Sequence, residues 1–391
     1  MAQFLGFGTG KDGAMPASGT YTSTKAYCSG ASGSLNLTPS STTGFSVGDF
    51  VVIHQSRGTG VGAWEINRIS SIGGGVLVMN IPLVNTYTTS GVSVAQVVEI
   101  KEYLGGTISG SLIAPDWDGS ATGGILPIMC NGLLSITGAL TANAAGYRAG
   151  MAAYNNGDDQ YRYNGGQGES YNDATYLADH KQSYAANENG GGAGVGYNER
   201  AGGGGGGGGH GSVGGNGEDG IGPDTHGGTG GTVGGSSTFA QFIFGGGGAG
   251  GGCGKIPTQA GRGGKGGGAI IIFSKQIVVT GAIQAKGEAG ASAATGGGYY
   301  DDAGGGGGGA GGALIIKSET ANIGTDKIDL RGGAGGLASA SRYDGDGGLG
   351  GNGRFRVEAC TLSGSISSTY YGSYTNVVGG QNWCGITHGI L

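Results

Sequence analysis

Proline, charge and long apolar runs are all scarce in this chain. Of 391 residues only 7 are Pro, and 12% are charged. So little Pro, with Gly in solid blocks and no sustained Gly-X-Y repeat, excludes a collagen triple helix. Low charge leaves little repulsion to hold the chain open, which argues against plain disorder. The longest aliphatic stretches, such as Ala269 to Phe273, are too short to span a bilayer, so no membrane insertion is expected. Met1-Ala2-Gln3-Phe4 has neither the basic nor the apolar region of a secretory signal. Met1 fits a protein made and assembled in a cytoplasm. With 20 basic and 26 acidic residues the net charge is -6. That balance, without a basic cluster, gives no footprint for nucleic acid or anionic lipid.

Catalytic and metal motifs are missing too. The 5 cysteines, Cys28, Cys130, Cys253, Cys360 and Cys384, lie far apart with no CxxC. That pattern predicts free, mostly buried thiols, neither a disulfide framework nor a zinc site. His54, His180, His210, His226 and His388 show no HxH or HExxH spacing. His210 and His226 lie within Gly tracts and are expected at the surface. Gly6 to Asp12 lacks the spacing of a phosphate loop. Gly217-Glu218-Asp219-Gly220 and Asp344 to Gly348 resemble fragments of calcium loops, but no tandem array supports them and solvated turns are expected. Asp116 and Asp118 flank Trp117; a glycosidase pair is defined by distance in space, which the sequence does not give. The expectation is a protein that is not an enzyme and needs no cofactor.

What is abundant is glycine, 100 residues of it. Residues 1–105 hold few Gly runs and several apolar strands, including Phe50 to Ile53, Trp64 to Ile69, Val76 to Met79 and Val94 to Ile100. Short strands at this spacing predict a small β-barrel or sandwich, read as a docking or assembly domain. Residues 106–391 repeat a module. Leu134 to Asn143 matches Ile277 to Lys286, with looser copies at Ile323 to Arg331 and Leu362 to Ser368. A short apolar strand precedes each copy: Ile125 to Met129, Ala269 to Phe273, Leu314 to Ile316 and Phe355 to Val357. The unit is strand, turn, strand, then a Gly-rich excursion, and it predicts a solenoid-like β-stack.

The long Gly runs are Gly202 to Gly209, Gly245 to Gly252 and Gly304 to Gly312. Ordering eight residues costs about 8–16 kcal/mol of backbone entropy. Extended threefold helices like polyproline II can offset that cost when packed, because each N–H and C=O then finds a neighbour. The fold class expected is therefore all-β, with a packed polyglycine II bundle beside the stack. The alternative is flexible Gly-rich loops on a β-core.

Tyr-rich inserts interrupt this frame. Tyr161, Tyr163, Tyr171, Tyr176, Tyr184, Tyr197, Tyr299, Tyr300, Arg342 and Tyr343 are the candidate receptor-binding residues, since Tyr with Asn, Asp and Ser composes adaptable recognition surfaces. The other reading is that these rings cover a core that Gly cannot build. Segments such as Val97 to Ile100, Leu112 to Gly119, Gly146 to Gly150 and Gly165 to Tyr171 resemble a group of Gly-rich bacterial surface and phage proteins. The Gly runs with Tyr-rich inserts resemble, in architecture, the tail-fibre tip adhesins of T-even-type phages. The resemblance implies a virion fibre or fibre-tip adhesin. It would be assembled in the host cytoplasm and work outside the cell. Its partners would be other virion subunits and a host glycan or outer-membrane protein, with a trimer as the expected oligomer. A self-assembling filament or sheath at a bacterial or archaeal cell surface is the alternative. An ice-binding protein is the third reading.

Overall fold

A computed structural model describes residues 6–153, 164–172, 184–197, 202–221, 224–254, 259–294, 303–339 and 345–378. Among these the chain is all-β, with no α-helix and a single 3-10 turn at Ser368–Tyr370.

After the short β1 (Gly19–Thr20), strands β2 (Lys25–Ser29), β3 (Asn36–Pro39), β4 (Phe50–Arg57), β5 (Trp64–Gly73), β6 (Val76–Met79) and β7 (Val94–Tyr103) form a barrel. The order β7-β2-β3-β6-β5-β4 closes because β4 also pairs with β7. Alternation in β4 explains the closure. Val51 and Ile53 point inward with Leu37, Leu77 and Val97, while Phe50 and Val52 pack outward near Trp64 and Ile66. Side chains fill the interior, as in other narrow barrels. Gly74 and Gly75, at φ 59° and 78°, make the β5–β6 turn. Positive φ at both positions is what a two-residue hairpin needs.

The module repeat maps onto two parallel sheets. β8 (Gly106–Ile108), β9 (Ser111–Ile113), β10 (Ile125–Ile136) and β11 (Ala139–Thr141) are the first copy. β12 (Ala269–Val279) with β13 (Ala282–Gln284), and β14 (Ala313–Thr325) with β15 (Ile328–Asp329), follow. β16 (Arg354–Ser365) and β17 (Ser373–Val378) end the described chain. The larger sheet runs β7-β10-β12-β14-β16-β17, so β7 belongs to both barrel and stack. Copies align in register: Leu134 opposite Ile277, Ile277 opposite Ala321, Ala321 opposite Leu362. The smaller sheet is β1-β9-β11-β13-β15. Between the sheets lie Leu134, Ile272, Leu314, Phe355, Leu140 and Ile283, all fully buried. Each such apolar side chain contributes roughly 1.5–3 kcal/mol of transfer free energy.

The glycine segments form the third part. Run 202–209 donates N–H bonds in rotation. Gly203, Gly206 and Gly209 reach Val195, Gly192 and Asn189; Gly204 and Gly207 reach Glu218 and Gly215; Gly205 and Gly208 reach Gly305 and Gly308. Its carbonyls accept from three further segments, through Gly252, Ala249 and Gly246, through Gly228 and Gly231, and through Gly348 and Gly351. Every third residue thus meets the same neighbour. Runs 245–252 and 304–312 touch this run and each other, and peripheral segments surround all three.

The peripheral segments differ from the central ones in sequence. They carry a side chain at every third position: Val213 and Asn216, Thr229 and Thr232, Arg262 and Lys265, Arg331, Ala334 and Leu337, Asp346, Leu349 and Asn352. Val213, Leu337 and Leu349 among them are exposed at 62–65%. A short Gly-Gly-X period is therefore present, and it marks the segments with one face to solvent. The solid runs are those enclosed on all sides.

Candidate functional site

The bundle has two chemically different ends. At one end the segments pass directly into the sheets, as Gly268 to Ala269, Gly312 to Ala313 and Gly353 to Arg354. At the other, Ala153, Cys253, Ala260 and Ala303 form a small buried cluster. Backbone bonds join Ala153 to Gly251, Gly304 to Gly252, Gly252 to Gly203 and Ser339 to Ala303. The described flanks of segments 154–163, 198–201, 255–258, 295–302 and 340–344 all meet there.

That gathering is invisible in the sequence, where these segments are scattered across the chain. Tyr161, Tyr163, Tyr299, Tyr300, Arg342 and Tyr343 fall in them and lie outside the described residues, as does Tyr176. Of the remaining candidates, Tyr184 is half-exposed with its ring 5.1 Å from that of His226, and Tyr197 is half-exposed. Tyr171 is partly buried against the aromatic core, and its hydroxyl donates to Glu188 at 3.0 Å.

Among the described residues no group of three His, Cys, Asp or Glu is placed to hold a metal ion. The two calcium-like tracts do meet, since the Glu218 N–H donates to the Asp346 carbonyl. Their carboxylates serve as turn acceptors, however: Asp219 takes the Gly227 N–H and Asp346 the Ala338 N–H. Trp117 is buried, with its indole N–H on Glu169. Asp116 pairs with Lys265 at 2.8 Å, and Asp118 caps its own loop through the N–H groups of Ser120 and Ala121.

Two expectations require correction. His210, expected at the surface, is buried, and its Nδ1 bonds the Gly311 carbonyl at 2.8 Å. It ends a central run, and packed neighbours cover whatever side chain stands there. Burial, with Arg354 nearby, pulls its imidazole down to about 3. Cys28, Cys130 and Cys253 are free and buried as expected, but Cys360 is disulfide-bonded. Distance along the sequence does not preclude proximity in the fold. Cys384 lies outside the described residues.

The barrel is fastened to the bundle by groups that no sequence motif joins. Phe239, Phe242 and Phe244 pack with Trp64, Trp117 and Tyr147. His54 bonds the Phe242 carbonyl at 2.7 Å through Nε2 and Ser56 through Nδ1. Burial pulls this imidazole down to about 4. Glu169, fully buried, receives Arg57 Nη1 at 2.5 Å, Arg148 Nε at 3.0 Å and the Arg148 backbone N–H at 2.9 Å. Glu169→Gln keeps the shape but leaves the buried Arg57 guanidinium uncompensated. Urea unfolding is expected to show a loss of about 3–5 kcal/mol, the range for breaking a buried pair from one side. A loss under 1 kcal/mol would show that this pair does not tie the two parts together.

No family model matches the chain, and no curated protein matches it. Among solved structures, it aligns with the Gp54 tailspike of Acinetobacter baumannii bacteriophage AP22, solved with A. baumannii capsular saccharide. The identity is 12% and the TM-score 0.20, over 32% of this chain and 25% of that one. It also aligns with the tailspike gp49 of Pseudomonas phage LKA1 at 13% identity and TM-score 0.19, over 32% and 24%. The chain thus spans about a quarter of either tailspike. Likeness at this level carries no argument about fold or function.

Proposed function

We propose that this chain is a non-enzymatic attachment protein of a phage virion, a fibre or fibre-tip adhesin. Its repeat modules stack as a short β-solenoid and its glycine segments pack as polyglycine II helices. One observation carries the reading. A bundle anchored at one end in sheets and barrel gathers the flanks of several separate, Tyr-bearing segments at its other end. Residues 1–105 are assigned to docking on the particle, and residues 106–391 to the scaffold and its host-facing segments. A rigid scaffold presenting variable segments from one end fits recognition by many weak contacts multiplied by copy number.

The filament reading gains less support. Lateral growth of the bundle would need bare Gly rows on its outside, and the outward rows carry Val213, Asn216, Arg331, Leu337, Asp346 and Leu349. Such side chains block a further helix much as charged residues protect a sheet edge. The same mixture of charge and bulk spoils a flat ice-binding face.

The test replaces residues 154–163, and separately 295–302, with Gly-Ser linkers of equal length. Attachment of the purified protein to host cells is read by negative-stain microscopy and flow cytometry. The expected outcome is a loss of attachment of tenfold or more with an unchanged melting temperature. Full attachment by both variants, or uniform filaments of the protein alone, would sink the adhesin reading.

A further inference from the structure

We propose that the cleft between the β4–β5 loop and the 240–241 segment binds a neutral saccharide unit. This rests on the attachment reading and goes beyond it: the cleft lies mainly on the barrel and adds a site for an uncharged surface glycan to the contacts of the Tyr-bearing segments. The cleft measures about 460 Å³ and is lined by Thr59, Gly60, Val61, Asn85, Asn172 and Gln241, among others. That volume lies within the range of small-molecule sites.

The loop owes its shape to glycine. Gly58, Gly60 and Gly62 sit at φ 82°, 76° and 80°, a region that disfavours other residues. A side chain at Gly58 would strike Ser93, and one at Gly62 would crowd Gln241 and Ile243. The backbone is therefore held close to its neighbours, and the Thr59 side chain is left at the surface.

Hydrogen-bonding capacity is left over here. The Thr59 hydroxyl and the Gln241 carboxamide make no hydrogen bond among the described residues. Asn85 and Asn172 each make one long side-chain contact, at 3.4 Å, to the Tyr87 hydroxyl and to Glu188. Each of these amides both donates and accepts. Among the described residues no ionisable side chain lines the cleft.

The lining selects a ligand class. A phosphate or carboxylate would call for Arg or Lys, and a divalent cation for carboxylates. A wholly apolar ligand would leave the amides unpaired against it. A polyol with no charge uses both donors and acceptors, and its C–H face can rest on Val61. The cleft is open to solvent, so a bound sugar can continue into a longer glycan on either side.

Saturation-transfer NMR on the full chain tests this, with maltotriose, chitotriose and galactobiose as neutral probes. Trigalacturonate and inorganic phosphate serve as charged ones. The expected result is transfer to at least one neutral probe and to neither charged one. Gln241→Ala and Asn172→Ala, at exposed positions, should each weaken that probe about three- to tenfold, with the melting temperature unchanged. Transfer to no neutral probe, or to one that both variants bind as tightly as the parent, overturns the inference. Cell attachment measured in parallel separates the two readings. A protein that decorates cells but binds none of the neutral probes sinks the cleft alone. One that binds a neutral probe through Gln241 and Asn172 yet decorates no cells keeps the cleft and sinks the attachment reading.

Discussion

Gly205→Ala and Gly307→Ala are each expected to destabilise the protein by 3 kcal/mol or more, through a single added methyl group. A Cβ at residue 205 would stand 2.2 Å from the Ala249 carbonyl oxygen, and one at residue 307 would stand 2.1 Å from that of Gly206. These atoms are backbone, not the tips of flexible side chains, so relief requires a whole segment to move. Overpacking alone typically costs about 1–3 kcal/mol. Here displacement also breaks bonds such as Gly205 N–H to the Gly305 carbonyl and Gly307 N–H to the Ala249 carbonyl. Buried peptide groups left unpaired add about 1–3 kcal/mol each. Ala334→Ser, on an exposed peripheral row, is the matched control and should stay within about 0.5 kcal/mol of the parent. Thermal and urea unfolding read both. A parental melting temperature for Gly205→Ala would show that the central runs are not packed against one another.

Mild acid is expected to weaken the fold before the carboxylates titrate. His54 and His210 are held neutral by burial, at about 4 and about 3 against an ordinary value of 6.5. The unfolded chain therefore binds more protons than the native one between these limits, and stability rises with pH there. The stabilisation is complete above pH 6.5 and is lost as pH falls through that value towards 4 and 3. At 1.36 kcal/mol per unit, the full loss is about 3 kcal/mol for His54 and about 5 kcal/mol for His210. Between pH 6.5 and 5 most carboxylates remain ionised, so the slope of melting temperature against pH reports the two imidazoles. His54→Gln can keep a donor towards the Phe242 carbonyl and should remove about half of that slope. Glu358, held below its usual range by Lys317 and Arg356 against the opposing effect of burial, adds its own acid lability only at lower pH. A flat melting temperature from pH 7 to 5 would contradict burial of both rings.

Much of the scaffold was legible in the sequence because its signals are local and repeated. The continuous apolar run Phe50 to Ile53 announced a strand, and the structure buries both of its faces. The match of Leu134 to Asn143 with Ile277 to Lys286 marked a repeated module, and the strands of these two copies stand side by side in register. The Gly-Gly-X period was also present but hidden among longer Gly blocks. Only the contrast between central and peripheral segments gives it meaning.

The candidate site was less legible, for a different reason. Tyr-rich composition marks segments but not where they meet, and most of the chosen Tyr residues fall outside the described part. The groups that join barrel and bundle lie far apart in sequence. Arg57 and Glu169, or His54 and Phe242, share no motif and are brought together only by the folded chain.

By itself, then, the sequence determined the elements. Glycine permits close backbone approach, apolar alternation makes strands, and a repeated module makes a ladder, each set by residue type and spacing over a few positions. Tertiary structure alone decided which segments are central, which end of the bundle gathers the flanks of the inserts, and which charges are buried. Those outcomes depend on which distant backbone groups satisfy one another's hydrogen bonds, a condition that no local stretch of chain contains.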